Sequence, residues 1–337
     1  MRDKIKNLIK LYWKRILIIG AFVILTIISL AIGALDVVNF KDLFAGNELS
    51  WKILWTSRVP RTLAIILSAS GLSVAGLIMQ SISRNKFMSP STSGTTDAAA
   101  LGVIIAFIAL GDQPGIIQTI FAFLFALIST MAFMSVIKRL KIREIVYIPL
   151  IGIMYGGLIA AFTQILAYRF EALQMMQAIG LGGFAKIGSF ATVYIIVVPL
   201  ILSVIYSSRF SIIGMGEDFS KNLGLRYNRV VFVGLLLIAL VSASSFVAVG
   251  QLPFIGLIIP NMTASFYGDN LKRSIIDVMF FGADFVLICD ILSRVIIAPF
   301  EISVSLTISI IGGIIFVIYM IGGIRHGKQS QRAAQRK

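Results

Sequence analysis

The chain has one cysteine and one histidine in 337 residues, and that scarcity removes several kinds of chemistry together. Cys289 has no partner for an intrachain disulfide, and Cys289 and His326 supply neither a CxxC pair nor an HExxH helix. A transition-metal site built on thiolate and imidazole is excluded with them. Charge is scarce as well. Only 13% of the residues are charged against 58% hydrophobic, and the mean hydropathy is +0.95, a composition that leaves a soluble domain no polar surface to show water. The chain lacks a phosphate-cradling G-x-x-x-x-G-K-[ST] loop, so it is not expected to hydrolyse ATP. It also lacks a polar connection long enough to form its own core, the longest being 36–60, 168–190 and 209–227.

What the chain does have is long apolar runs. They fall at 16–35, 61–82, 92–110, 115–137, 144–167, 191–208, 228–249, 254–267, 275–297 and 303–323, most of them near the length of a membrane-crossing helix. The expected fold is all-α: one polytopic permease domain over 1–337, with a helical membrane core over 16–323 and a basic tail over 324–337. The first run is too long for a signal-peptide core and no small-residue cleavage site follows it. Basic residues sit on the N-terminal tail, on alternate connections and on the C-terminal tail. The exceptions are Lys41, Lys52, Arg58, Arg61, Arg169, Lys186 and Arg294. By the positive-inside rule both termini are then cytoplasmic, which needs an even number of crossings and suits ten. The net charge of +15 is spread over these short loops. It reads as orientation and attraction to anionic lipid rather than nucleic-acid binding.

The cytoplasmic stretch Gly214–Arg229 reads GMGEDFSKNLGLRYNR. Its glycines bracket a short helix from Glu217 to Leu223, with Phe219 and Leu223 on one apolar face and Ser220 small between them. Such a helix either lies on the membrane or docks a soluble partner. Within the spans, Asp290 and Arg294 are four apart and are expected to pair. Asp97 and Asp284 have no evident partner, and read either as buried hydrogen-bond acceptors or as the coupling carboxylates of a proton- or sodium-driven secondary transporter. Arg58 and Arg61 share a helix face at the outer start of the second span, as interfacial anchors or as a pair aimed at incoming carboxylates. Gly152, Gly156, Ala160 and Thr163 form one small-residue stripe, either for close packing or to line a solute path.

Several strings then resemble one family. They are Arg58–Arg61 (RVPR), Gly71–Gln80 (GLSVAGLIMQ), Ser83–Pro90 (SRNKFMSP), Gly216–Gly224 (GEDFSKNLG), Gly250–Pro260 (GQLPFIGLIIP) and DILSR…PFEI from Asp290 to Ile302. In that order they resemble the permeases of iron–siderophore and vitamin B12 ABC importers, the FecCD type. The resemblance runs from about 58 to 323, and ISRNKFMSP, GMGE and LIIPN are most similar to the ferric-catecholate branch. The chain departs from the pattern at Lys86, where proline is usual, at Asn261, where histidine is, and after Glu301, where a proline is missing.

The resemblance implies an importer permease in the bacterial cytoplasmic membrane that moves a ferric siderophore, of the catecholate type, inward. It implies a second permease (paralogous, with an identical chain as the alternative), two ATPase subunits that hold ATP and Mg, and an extracytoplasmic siderophore-binding lipoprotein or periplasmic protein. No cofactor is expected on this chain. Coupling to the ATPase falls to the 214–224 loop, through Gly216, Glu217, Asp218, Ser220, Leu223 and Gly224. Docking of the binding protein falls to Arg58, Arg61 and Arg294, and the solute path is assigned to Gly152, Gly156, Ala160 and Thr163.

Overall fold

A computed structural model describes residues 2–32, 47–111, 115–140, 147–180, 182–184, 190–268, 270–298 and 300–334. Lys41, Lys141, Arg143, Lys186, Pro299, Arg336 and Lys337 lie outside them. Among the described residues there is no β-strand, and every apolar run carries a helix. In chain order these are α1 (Arg2–Ala31), α2 (Glu48–Ile53), a π-turn (Leu54–Arg58), α3 (Val59–Ser83), a 3-10 turn (Ser91–Ser93), α4 (Thr95–Leu110), α5 (Gly115–Leu140), α6 (Tyr147–Arg169) and α7 (Leu173–Gly180). A 3-10 turn (Phe190–Ile196) then leads into α8 (Val197–Ile213), followed by α9 (Glu217–Asn222), α10 (Tyr227–Val249), α11 (Ile255–Tyr267), α12 (Leu271–Val295) and α13 (Val304–Ala334). Among the described residues five helical stretches are long and apolar enough to cross a membrane: 48–83, 115–140, 147–169, 192–213 and 227–249.

The ends depart from the sequence expectation. Helix α1 starts at Arg2, so the basic N-terminal tail continues the helix instead of preceding it, and α13 runs on to Ala334 through the segment expected as a tail. Sequence periodicity marks where apolar residues stop, whereas a helix stops only where a cap or a breaker ends it. Two such signals are visible. Asn47 caps α2 by accepting from the Leu49 amide, and Asn270 caps α12 by accepting from the Arg273 amide.

Helices α3 and α10 form the centre: 78% and 72% of their apolar windows are buried, against 22% for α6. Helix α3 packs on α8, α10, α11 and α12, and α1 lies along α12. Small side chains permit this crowding. The closest approach is at Gly76, where any Cβ would collide with the Gly256 carbonyl of α11. That carbonyl lies one turn before Pro260, which has no N–H to give it.

Hydroxyls inside the apolar phase turn back on their own helices. Ser73, Thr130, Thr163, Ser203 and Thr263 each donate to the carbonyl four residues earlier, at 2.6–2.8 Å.

Candidate functional site

The loop singled out in the sequence is a tight, defined unit. Gly216 enters α9 at φ +120°, an angle L side chains rarely adopt, and Gly224 leaves it at φ +77°. The exit is a Schellman motif: the Leu225 amide donates to the Ser220 carbonyl at 3.0 Å and the Gly224 amide to the Lys221 carbonyl at 2.9 Å. Glu217 and Lys221 pair one turn apart at 2.8 Å. The hydrogen bond from Lys221 holds the Glu217 carboxyl below its ordinary range, and the same bond raises the Lys221 ammonium.

Ser220 differs from its expected place. It is not set between Phe219 and Leu223 but faces the opposite way, fully buried, with its hydroxyl donating to the Gly216 carbonyl at 2.6 Å. A six-residue helix has one inner face, and the smallest side chain takes it. Met215, Phe219 and Leu223 are left exposed around the helix, an apolar face with a charged pair beside it.

At the opposite end of α3 the three outer arginines come together, and each has acceptors within the chain. Arg58, on the π-turn, donates to the Leu30 carbonyl at 2.9 Å and to that of Ala31. Arg294 donates to the Ser29 and Ile32 carbonyls and to the Ser29 hydroxyl. The two guanidiniums therefore cap the C-terminal end of α1, where carbonyls lack intrahelical donors and the helix dipole favours a cation.

The expected Asp290–Arg294 pair forms. Asp290 also receives Arg61 at 2.8 Å, and Arg61 reaches Glu301 at 2.8 Å. Two arginines and two carboxylates thus balance across α3, α12 and the segment after it. Arg61 keeps 11% of its side chain exposed and Glu301 22%, while Asp290 keeps none, so the network opens outward only at the Arg61–Glu301 pair.

The small-residue stripe of α6 faces the protein. A Cβ on Gly152 would collide with the Thr92 carbonyl, and one on Gly156 would stand 2.5 Å from Asp97 Oδ2. Thr163 is buried and Ala160 half-buried. The stripe sets how closely α6 approaches α4 and the Ser91–Ser93 turn, which is the packing reading. The opposite face presents Met154, Leu158, Phe162 and Ile165. Asp284 Oδ1 is buried without a hydrogen-bond partner. Among the described residues no group of three or more His, Cys, Asp or Glu is placed to hold a metal ion.

The sequence profile of the FecCD transport family matches residues 21–322. The chain belongs to that family. It is 40% identical over 301 residues to the petrobactin import system permease protein YclN of Bacillus subtilis (strain 168), covering 89% of this chain and 95% of that one. It is 36% identical over 307 residues to the ferric-anguibactin transport system permease protein FatD of Vibrio anguillarum (strain ATCC 68554 / 775), covering 90% and 98%. Among solved structures, a metal-chelate type ABC transporter in an inward-facing conformation superposes with a TM-score of 0.74 at 22% identity, covering 90% of this chain and 97% of that one. That likeness is one of fold. Neither the relatives nor the fold supports a secondary transporter working through Asp97 and Asp284.

Some members of these sites were not assigned from sequence. Sequence alone gives Glu301 no role beyond its place in the string from Asp290 to Ile302, and Arg15 none beyond one basic charge near the N-terminus. In the structure Arg15 pairs with Asp277 at 2.9 Å and ties the middle of α1 to α12. The two residues are 262 apart in sequence, beyond the reach of any helical spacing rule.

Proposed function

We propose that this chain is the permease subunit of an ATP-binding-cassette importer that moves a ferric siderophore, of the catecholate type, inward across the bacterial cytoplasmic membrane. Membership of the FecCD family carries the reading, supported by relatives named for petrobactin import and ferric-anguibactin transport that match nearly end to end. On this reading the ten helical runs are ten crossings with both termini inside. The alternation of basic loops supports that count.

The exposed apolar face of α9 suits a cleft on an ATPase subunit. The Schellman exit and a buried Ser220 let a six-residue helix transmit a push instead of absorbing it. ATP and Mg then belong to that subunit, and the permease itself binds no cofactor. A second permease, paralogous in our reading, supplies the other half of the pathway. The large apolar side chains of α6 opposite its small stripe are available to it.

For the binding protein, the geometry favours Arg61 as the receiving group, because its pair with Glu301 is the part of the outer network that reaches the surface. Arg58 and Arg294 hold the end of α1 beneath it. Purification of the native complex with identification of its subunits and chelate tests the whole reading. Two ATPase copies, a second permease and a ferric siderophore are expected. A homogeneous chain without ATPase, active in transport alone, overturns it.

A further inference from the structure

Where α8 ends and α10 begins, a cavity of about 400 Å³ opens beside the exit of α9. Three guanidiniums line it: Arg209 from α8, and Arg226 and Arg229 at the start of α10. Leu225, Val230 and Val233 add an apolar wall. All the lining residues fall within 190–268, which is described without a break. The carboxylates of that run are Glu217 and Asp218, and neither lines the cavity.

The three arginines are exposed, and among the described residues no ion pair includes any of them. The Arg209 guanidinium lies over the Tyr206 ring, 4.6 Å from its centroid. Stacking holds the guanidinium plane and leaves its in-plane N–H donors for an oxyanion. Arg226 stands at the N-cap of α10, an end that no side chain caps. The positive end of that helix dipole therefore lies beside the guanidiniums.

The cationic cavity meets an apolar stripe. Val198, Ile201, Ile205 and Arg209 share one face of α8 by helical spacing, and the three apolar members are exposed. Both α8 and α10 lie in stretches long and apolar enough to cross a membrane. Cations at the end of an exposed apolar stripe suit an amphiphile, with its phosphate on the guanidiniums and an acyl chain along α8. A soluble phosphate would leave the stripe unused.

We propose that this cavity is a specific site for the headgroup of an anionic phospholipid, held by Arg209, Arg226 and Arg229. Gly224 and Leu225, which leave α9, line the same cavity, so the bound headgroup packs against the exit of that helix. The proposal rests on the membrane reading of α8 and α10, and not on the solute transported.

The test uses the full chain in nanodiscs of phosphatidylcholine containing a graded fraction of phosphatidylglycerol, with native mass spectrometry to count retained lipid. Insertion of the chain into the nanodisc checks the membrane reading separately. Wild type retains phosphatidylglycerol in preference to phosphatidylcholine. Arg226→Gln with Arg229→Gln lowers that affinity on the order of thirtyfold, from two lost interfacial cations. Arg226→Lys with Arg229→Lys keeps the charge and restores most of it. Ile201→Ala with Ile205→Ala, which leaves all charge in place, lowers it several-fold. Lys272→Gln with Arg273→Gln removes the same charge at the start of α12 and leaves it unchanged. Three results overturn the proposal: no preference for phosphatidylglycerol in wild type, equal retention by wild type and the Arg226/Arg229 glutamine variant, or equal loss in the α12 control. Displacement of the lipid by millimolar inorganic phosphate also overturns it, because the site then belongs to a soluble anion.

Discussion

The Ser220 hydroxyl donates to the carbonyl of Gly216, one turn back, at 2.6 Å, and it is fully buried in a loop whose neighbours are exposed. The bond closes the turn that opens α9, so the shape of the exposed apolar face depends on a side chain that never reaches it. Ser220→Ala is expected to cost about 1 kcal/mol of local stability and to leave transport near normal. Ser220→Lys cannot bury its charge there. It is expected to displace α9 and stop transport while the membrane core keeps its melting temperature. Normal uptake and ATPase pull-down by Ser220→Lys contradict this account of the loop.

Asp290 receives both Arg61 and Arg294 and is itself inaccessible to solvent. Asp290→Asn leaves two arginines sharing Glu301, and is expected to destabilise the fold by about 3–5 kcal/mol. Glu301→Gln, at the open rim, is expected to cost about 1 kcal/mol or less. Thermal unfolding in detergent separates the two. Equal losses mean that the network is not graded by burial.

If Arg61 receives the binding protein, Arg61→Glu weakens docking, and reversal of one acidic residue on that partner restores most of the loss. The pair is partly exposed, so the change in affinity is modest, about 1 kcal/mol. A melting temperature measured beside it distinguishes lost docking from a weakened fold. Docking unaffected by Arg61→Glu in a stable variant returns this arginine to an internal role.

The Glu217–Lys221 pair predicts a pH window for α9. The Glu217 carboxyl is held low, so its contribution is present above its ordinary value of 4.5 and is lost as pH falls through the lowered value. The Lys221 ammonium is held high, so its contribution is present below its ordinary 10.5 and is lost as pH rises through the raised value. Both groups are exposed, so the effect is small. Amide-exchange protection in 217–222, corrected for the intrinsic pH dependence of exchange, is expected to fall at the acidic end of that window in wild type. In Glu217→Gln it is expected to lose that dependence.

Much of the fold was legible because hydropathy runs and helix periodicity are local properties, and each of the ten runs carries a helix. The α9 unit was legible for the same reason: Gly216, Gly224 and the acidic first turn are signals within nine residues. The outer network was legible only where helical spacing linked its members, as with Asp290 and Arg294. The Arg61–Glu301 pair spans 240 residues, and only packing reveals it. The small stripe on α6 marked a surface, but sequence alone did not say which helix it meets. Burial of Gly152 and Gly156 against Thr92 and Asp97 settles that.

The claim that matters most is that separate ATPase subunits drive this permease. Uptake of a radio-iron-labelled siderophore into proteoliposomes carrying the purified complex tests it, with ATP enclosed and a protonophore added. The account predicts uptake that survives the protonophore and stops when ATP is withheld or the ATPase is blocked with vanadate. Uptake that collapses with the proton gradient while ATP is present, or that proceeds without ATP, contradicts it.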